Sequence, residues 1–126
     1  MSTNWFLALD GDDIGRRLEM FMVTEDMAGL REFADTFDKL LTHLLDSIKQ
    51  NDAIEVLLQG GDSILLLLPE SELLAVVNLV TSISSNTGYT FSGGYAKTLR
   101  GAYIALKLAK AAGKNRIVPL DSKVDS

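Results

Sequence analysis

The sequence contains no cysteine, two prolines and a single histidine among its 126 residues. Without cysteine the chain has no disulfide framework, no thiolate nucleophile and no thiolate metal site. One histidine, His43, offers no partner set for a Ser–His–Asp triad. The longest apolar runs, such as residues 64–68, hold five residues, far short of the roughly 20 needed to cross a bilayer. The N-terminus shows no basic and apolar leader, so we expect a cytoplasmic protein that binds no membrane.

Hydrophobic residues make up 47% of the chain and charged residues 23%. This composition excludes an intrinsically disordered chain and favours one compact domain with its own core. We predict a domain over residues 1–120, followed by a flexible tail at 121–126. The net charge of −5 argues against a stable nucleic-acid binder, which would normally carry a basic excess.

The basic residues are concentrated near the C-terminal end of the chain. Residues 97–120 contain six basic side chains and no acidic one: Lys97, Arg100, Lys107, Lys110, Lys114 and Arg116. A local excess of this kind can hold a small polyanion on a protein that is acidic overall. A solvated helix face would show the same pattern, so the excess alone does not identify a site.

Apolar periodicity predicts the element order β-α-β-β-α-β, with an extra C-terminal helix and a further edge strand. The predicted strands cover residues 4–9, 54–58, 64–68, 91–96 and 117–119. The predicted helices cover residues 14–22, 27–48, 71–83, with Ser71 as the capping residue, and 99–112. This order is that of a ferredoxin-like α+β palm, an antiparallel sheet with helices on one face.

Two acidic loops fall at neighbouring strand ends in this topology. The first strand ends at Asp10, and the central hairpin turns at Asp62. Carboxylates held close together repel each other, and a divalent cation relieves the repulsion. Oxygen ligands favour Mg²⁺ or Mn²⁺ over Zn²⁺. The flanking glycines Gly11, Gly60 and Gly61 would let phosphates approach the backbone, although Asp-Gly and Gly-Gly-Asp are also ordinary turn sequences.

Lys107, Lys110 and Lys114 are spaced three and four residues apart, so their amines share one face of the last helix. A metal-bound polyphosphate held by such lysines would be a nucleoside triphosphate. The joint placement of the two acids and the basic helix therefore predicts a nucleotide site.

Three motifs carry a resemblance to known families. Gly60-Gly61-Asp62, Ser92-Gly93-Gly94 and residues 109–116 (AKAAGKNR) resemble the GGDEF palm domains of diguanylate cyclases. Residues 10–15 (DGDDIG) are closer to the palm of the polymerase subunit of type III CRISPR complexes. A free-standing palm of this length resembles the minimal CRISPR polymerase (mCpol) family, and the resemblance covers almost the whole chain.

The resemblance implies a nucleotidyl cyclase with catalytic acids Asp10 and Asp62. It implies a metal held by these two carboxylates and the Gly11 carbonyl, and triphosphate held by Lys110 and Lys114. The chain departs from GGDEF domains at Ser63, where they have Glu, and in lacking the Phe-Lys pair after the first acids. Phosphate contacts there would come instead from the backbone amides of four residues, Asp12, Asp13, Ile14 and Gly15.

Ungapped counting places the guanine-reading positions of diguanylate cyclases on Leu18 and Met27. Neither can hydrogen-bond a base edge, so ATP is the expected substrate and a cyclic di-adenylate the expected product. A ring of two implies a homodimer, at least transiently, and the mCpol resemblance suggests a messenger read by a separate effector in antiviral defence. A non-catalytic nucleotide sensor and a structural interaction domain are the alternatives, and assay with each triphosphate would separate them.

Overall fold

The computed structural model describes residues 4–120. The predicted tail at residues 121–126 lies outside this range. None of the helices within it is both long and apolar enough to pass through a membrane.

Residues 4–120 form five strands and four helices. The strands are β1 (Asn4–Gly11), β2 (Glu55–Gly60), β3 (Ser63–Pro69), β4 (Phe91–Ala96) and β5 (Ile117–Pro119). The helices are α1 (Ile14–Val23), α2 (Met27–Lys49), α3 (Glu70–Thr87) and α4 (Leu99–Ala111). The predicted order of elements is confirmed. Helix α3 begins directly after Pro69 with no side-chain cap, so the prediction of Ser71 as its capping residue was wrong.

The strands form one sheet in the order β2-β3-β1-β4-β5. Strand β1 lies in the centre and pairs antiparallel with β3 and with β4, and β2 pairs antiparallel with β3. These four strands confirm the antiparallel ferredoxin-like arrangement. Strand β5 pairs parallel with β4, which makes the whole sheet mixed. The chain leaves β4 through α4, and a helical crossover returns the next strand in the parallel direction.

Helices α2 and α3 cover one face of the sheet with large apolar side chains. Leu7, Leu9 and Leu66 on the strands belong to the same buried cluster as Phe37 and Leu44 on α2. Successive residues of a strand point to opposite faces, so the odd-numbered residues of β1 build this cluster. The expectation of helices on one face holds for α2 and α3.

Helix α4 lies on the opposite face, which the sequence did not indicate. It packs through the small residues Ala102 and Ala105 against Ala96, beside Phe6 and Ala8 on that face. The approach is unusually close, because a Cβ added to Gly94 would lie 2.2 Å from the backbone nitrogen of Leu106. Small side chains on both elements therefore explain why a helix can press directly on the sheet here.

Helix α4 packs on β4, β5 and β1. On the same face the β2 side remains open, and Leu58 of β2 is 59% exposed. The sheet therefore has one closed face, covered by α2 and α3, and one half-open face, partly covered by α4. The two acidic loops meet at the end of β1.

Candidate active site

The two predicted acidic loops are in direct contact. Asp10 is paired with Ser63 in the register of β1 and β3, and the Gly11 N–H donates to the Asp62 carbonyl oxygen at 3.0 Å. The turn between β2 and β3 contains Gly61 at φ 57°, a left-handed conformation that favours glycine. The sequence Gly-Gly-Asp therefore forms the tight turn that brings Asp62 to the end of β1.

The Asp10 carboxylate is already engaged within the protein. It accepts a hydrogen bond from the Ser63 hydroxyl at 2.8 Å and forms an ion pair with the Lys110 ammonium. The Asp10 side chain is 20% exposed and that of Lys110 is 34% exposed. A lysine predicted to bind phosphate thus neutralises a carboxylate predicted to bind metal.

The Asp62 side chain lies on the α2 face of the sheet, whereas the Asp10 side chain lies on the α4 face. A Cβ added to Gly11 would lie 3.2 Å from the Asp62 Cβ, so the Asp62 side chain is adjacent to the Gly11 backbone. Asp62 lines a cavity beside α1 and α2, whereas Asp10 lines a cavity on the α4 face. The structure therefore brings the backbones of all three predicted metal ligands together at the end of β1, with the Asp10 and Asp62 side chains lining cavities on the two faces of the sheet.

These donors fit a hard cation that also binds substrate. Across residues 4–120 there is no group of three or more histidine, aspartate or glutamate side chains arranged to hold a metal. Mg²⁺ is commonly held by one or two carboxylates together with substrate phosphates. Asp10, Asp62 and the Gly11 carbonyl match that requirement and do not match an all-protein cage.

Asp12 supports the loop and does not offer a free amide. Its carboxylate, only 9% exposed, accepts hydrogen bonds from the Thr90 hydroxyl at 2.7 Å, the Ser92 hydroxyl at 2.6 Å and the Asn115 N–H at 2.9 Å. Its own N–H donates to the Thr90 carbonyl at 2.9 Å. A buried carboxylate needs such donors. The expectation that the Asp12 amide binds phosphate is therefore wrong.

The N-terminus of α1 is open. Its N-cap, Asp13, has φ 60° and makes no side-chain capping bond, while the Asp13 carbonyl accepts from the Arg17 N–H at 3.0 Å. The first amides of a helix have no partner within the helix. Those of Ile14 and Gly15 therefore face outward at the positive end of the helix dipole, where anions bind favourably.

Lys114 binds the adjacent carboxylate. Its ammonium lies 2.5 Å from Asp13 Oδ1, and the hydrogen bond from Lys114 lowers the pKa of Asp13 below its ordinary value. Lys114 and Asn115 have φ angles of 66° and 49°, a left-handed conformation that asparagine tolerates and lysine rarely adopts. Contacts from both residues to Asp13 and Asp12 account for this conformation. The loop after α4 is thereby fastened to the loop after β1.

A cavity of about 500 Å³ adjoins Asp62. Its lining includes Leu18 from α1, Phe37 and Asp38 from α2, and Gln59 from β2. Met27 is not part of it: this side chain is 60% exposed and lines a separate cavity near the start of α2. Leu18 and Met27 therefore line different cavities, so the structure does not bring the two residues of the ungapped count into one pocket.

Asp38 and Gln59 were not identified from the sequence as site residues. Gln59 directly precedes the Gly-Gly turn, and Asp38 directly follows the buried Phe37. The adjacent Gly-Gly turn and the adjacent buried Phe37 are sequence signals that could have placed Gln59 and Asp38 beside the acidic loop. Ser63 offered a similar signal, since it follows Asp62 and lies opposite Asp10 in the register.

Comparison with known proteins relates this geometry to a family. The family model described as mCpol, minimal CRISPR polymerase domain, matches residues 6–120. Among curated proteins, none matches the chain.

Solved structures of GGDEF domains share the fold. A microbial GGDEF domain studied with bis-(3,5)-cyclic di-GMP is 22% identical, with a TM-score of 0.62 over 92% of this chain and 76% of that one. The GGDEF domain of DgcB from Caulobacter crescentus, in complex with c-di-GMP, is 14% identical, with a TM-score of 0.63 over 94% and 78%. The active GGEEF domain of a diguanylate cyclase from Vibrio cholerae is 14% identical, with a TM-score of 0.61 over 94% and 83%.

Proposed function

Because the chain belongs to the mCpol family of minimal CRISPR polymerase domains, we propose that it is a metal-dependent nucleotidyl cyclase. It joins nucleoside triphosphates, with ATP preferred, into a cyclic dinucleotide and releases pyrophosphate. The observation that carries the proposal is the meeting of Asp10, Gly11 and Asp62 at one end of the sheet beside Lys110 and Lys114.

Asp10, the Gly11 carbonyl and Asp62 would hold Mg²⁺ or Mn²⁺. A metal held there would supply a Lewis acid that lowers the pKa of a ribose hydroxyl and stabilises negative charge on the α-phosphate and the departing pyrophosphate. Ser63, which donates to Asp10 at 2.8 Å, holds that carboxylate in place.

Lys110 and Lys114 bind the β- and γ-phosphates. In the free chain their ammonium groups neutralise Asp10 and Asp13. The triphosphate offers both lysines a more highly charged partner, and transfer of Lys110 to phosphate releases Asp10 for the metal. The two ion pairs therefore keep Asp10 and Asp13 neutralised until substrate and metal arrive together.

Backbone groups complete the phosphate site. The amides of Ile14 and Gly15 lie at the open N-terminus of α1, where phosphate binds favourably. A Cβ added to Gly60 or Gly61 would have no neighbour within 4 Å, so phosphate can approach this turn closely.

The cavity beside α1 and α2 receives the base. Leu18 supplies an apolar contact, and Gln59 can bind adenine through one donor and one acceptor, a pairing that glutamine also makes with adenine in nucleic acids. Asp38 can accept from the adenine amine. A competition assay with equimolar triphosphates tests this assignment, because a guanine-containing main product would contradict it.

Forming a ring of two requires two reacting sites that face each other, so the active species is a homodimer with two-fold symmetry, at least transiently. The product acts as a messenger for a separate effector in antiviral defence, in keeping with the CRISPR polymerase family. We place this reaction in the cytoplasm, where ATP and Mg²⁺ are plentiful.

The experiment combines product analysis with one substitution. Purified protein is incubated with each triphosphate and Mg²⁺ or Mn²⁺, and products are identified by mass spectrometry. Asp62→Asn should abolish product formation without changing the unfolding temperature, because it removes a charge and a metal ligand from an accessible turn. Asp52→Asn, the same change in an exposed turn between α2 and β2, should retain full activity.

The outcomes separate the three candidate functions. Wild-type turnover in Asp62→Asn would exclude the metal assignment. Metal-dependent binding of ATP without any product would indicate a nucleotide sensor, and the absence of binding would indicate an interaction domain.

A further inference from the structure

The half-open face of the sheet contains an apolar groove of about 750 Å³. Its lining includes large apolar side chains from β2, β3 and α4: Leu58, Leu65, Leu99, Tyr103 and Leu106. Asp10 and Arg100 supply the two charged side chains. We refer to these seven residues as the α4 groove.

Large side chains of the α4 groove are exposed together. Leu58 is 59% exposed, Leu99 53% and Tyr103 57%. Single exposed apolar residues are common, but a contiguous patch of them marks an interaction surface. The groove exists because α4 packs on β4, β5 and β1 and leaves β2 open.

The groove continues into the candidate active site. Asp10 lines it and is paired with Lys110 of α4, so the Asp10 side chain lies on the α4 face. A second copy that approaches this carboxylate from the α4 face would cover the groove. The face that carries Asp10 is therefore also the face with uncovered apolar side chains.

The charges of the groove are arranged for pairing with its own copy. Arg100 precedes Lys110 by ten residues on α4, which places it roughly 15 Å from the Asp10 end of the helix. A two-fold axis through the apolar middle would carry Arg100 of each copy towards the Asp10 end of the other. Asp10 is already paired with Lys110, so the anion that Arg100 would meet there is the polyphosphate bound at the other copy. This charge complementarity would fix the orientation of the two surfaces.

We propose that the α4 groove is the surface through which two copies of this chain form the two-fold dimer that closes the ring. This inference rests on the proposed cyclase function and names the contact that the function requires. In the dimer Arg100 of one copy lies beside the polyphosphate bound at the other.

The chain offers a matched pair of substitutions. Leu99 and Leu108 are both on α4, 53% and 51% exposed, and only Leu99 lines the groove. We measure self-association by sedimentation, with and without Mg²⁺ and a non-hydrolysable ATP analogue. Leu99→Ala should raise the dimer dissociation constant about tenfold or more, because central apolar contacts dominate interfaces. Leu108→Ala should leave it unchanged, and Tyr103→Glu should abolish the dimer by burying a charge.

Product formation provides the second readout. Turnover per chain should rise with protein concentration in the wild type, and Leu99→Ala should need higher concentrations to reach the same rate. Equal effects of Leu99→Ala and Leu108→Ala, or a wild type that stays monomeric, would overturn the inference. Turnover independent of concentration in a chain that sediments as a monomer would also overturn it and leave the cyclase standing. A groove-dependent dimer that makes no product would support the interface and contradict the cyclase.

Discussion

The two faces of the sheet differ in the size of the side chains that cover them. Beneath α2 and α3, Phe37, Leu44 and Leu66 fill a closed core. Beneath α4, Ala102 and Ala105 bring the helix almost to the backbone of the sheet, and part of the face stays open. The closed face buries a large apolar surface. The α4 face buries less apolar surface, and its small residues fix the position of α4.

The comparison shows how a small domain separates stability from function. Apolar burial scales with the size of the side chains removed from water, so the closed face supplies most of the hydrophobic stabilisation. Close packing of α4 fixes where Lys110 meets Asp10 and where Lys114 meets Asp13. Substitutions on the two faces should therefore have different consequences.

The largest expected effect is on the closed face. Leu44→Ala should lower the free energy of unfolding by about 2–5 kcal/mol, because it leaves a cavity in a fully buried cluster. Leu58→Ala, at a residue 59% exposed on the half-open face, should change it by less than about 0.5 kcal/mol. Urea unfolding of both variants measures this difference. Similar losses in the two variants would show that the faces do not differ in this way.

The next effect concerns the site that α4 positions. Lys110→Ala should weaken binding of a non-hydrolysable ATP analogue about ten- to a hundredfold, the equivalent of roughly 1.5–3 kcal/mol for a charge-assisted contact. Lys39→Ala removes a lysine that pairs with Asp35 on the surface of α2, so it should leave affinity unchanged. Calorimetry measures both. An unchanged affinity in Lys110→Ala would place the phosphates elsewhere.

A smaller effect tests the close packing of α4. An added methyl group at Gly94 would lie 2.2 Å from the Leu106 nitrogen, so α4 must move. Gly94→Ala should cost about 1–3 kcal/mol of stability, as overpacking typically does, and should weaken nucleotide binding as well. Gly15→Ala meets no atom within 4 Å and serves as the matched control for stability. Equal stability of the two variants would contradict the packing argument.

The smallest effect is the pH dependence of the pair between Asp13 and Lys114. Lys114 lowers the pKa of Asp13, so the pair stabilises the fold above the ordinary carboxyl pKa. The stabilisation is lost as the pH falls through the lowered value. Asp13→Asn keeps a residue that tolerates φ 60° and removes only the charge. Its difference in unfolding temperature from the wild type should be present near neutral pH and disappear in acid.

A double-mutant cycle isolates the pair. In a Lys114→Gln background, Asp13→Asn should show a smaller pH-dependent difference, because the main partner is absent and only Arg16 and Arg17 still lower the pKa of Asp13. An undiminished difference in that background would assign the pKa shift to groups other than Lys114.

Local patterns in the sequence were sufficient for most of the fold. Steps of three and four between apolar residues predicted α2, and the Gly-Gly-Asp turn predicted the hairpin at Asp62. Patterns of this kind act over a few residues. They did not place α4 on the second face, since that depends on small residues of α4 meeting Gly94.

The site was predictable in its residue types but not in its contacts. Asp12 and Asp13 are neighbours of the same type, yet one is buried against Thr90 and Ser92 and the other pairs with Lys114. Only the position of β4 beside β1 decides between these roles. The pairing of Lys110 with Asp10 likewise depends on the register of α4 over the sheet, which no local pattern encodes.

The contacts that fasten the site connect distant parts of the chain. Lys110 to Asp10, Lys114 to Asp13 and Asn115 to Asp12 span 100, 101 and 103 residues. A ribosome adds roughly 5–20 residues per second, so about 5–20 s separate the synthesis of Asp10 from that of Lys110. During that time the acidic loop has emerged without its cationic partners. A nascent chain therefore cannot assemble the candidate active site until α4 and the loop after it have been synthesised, and the order of translation itself delays the completion of this site.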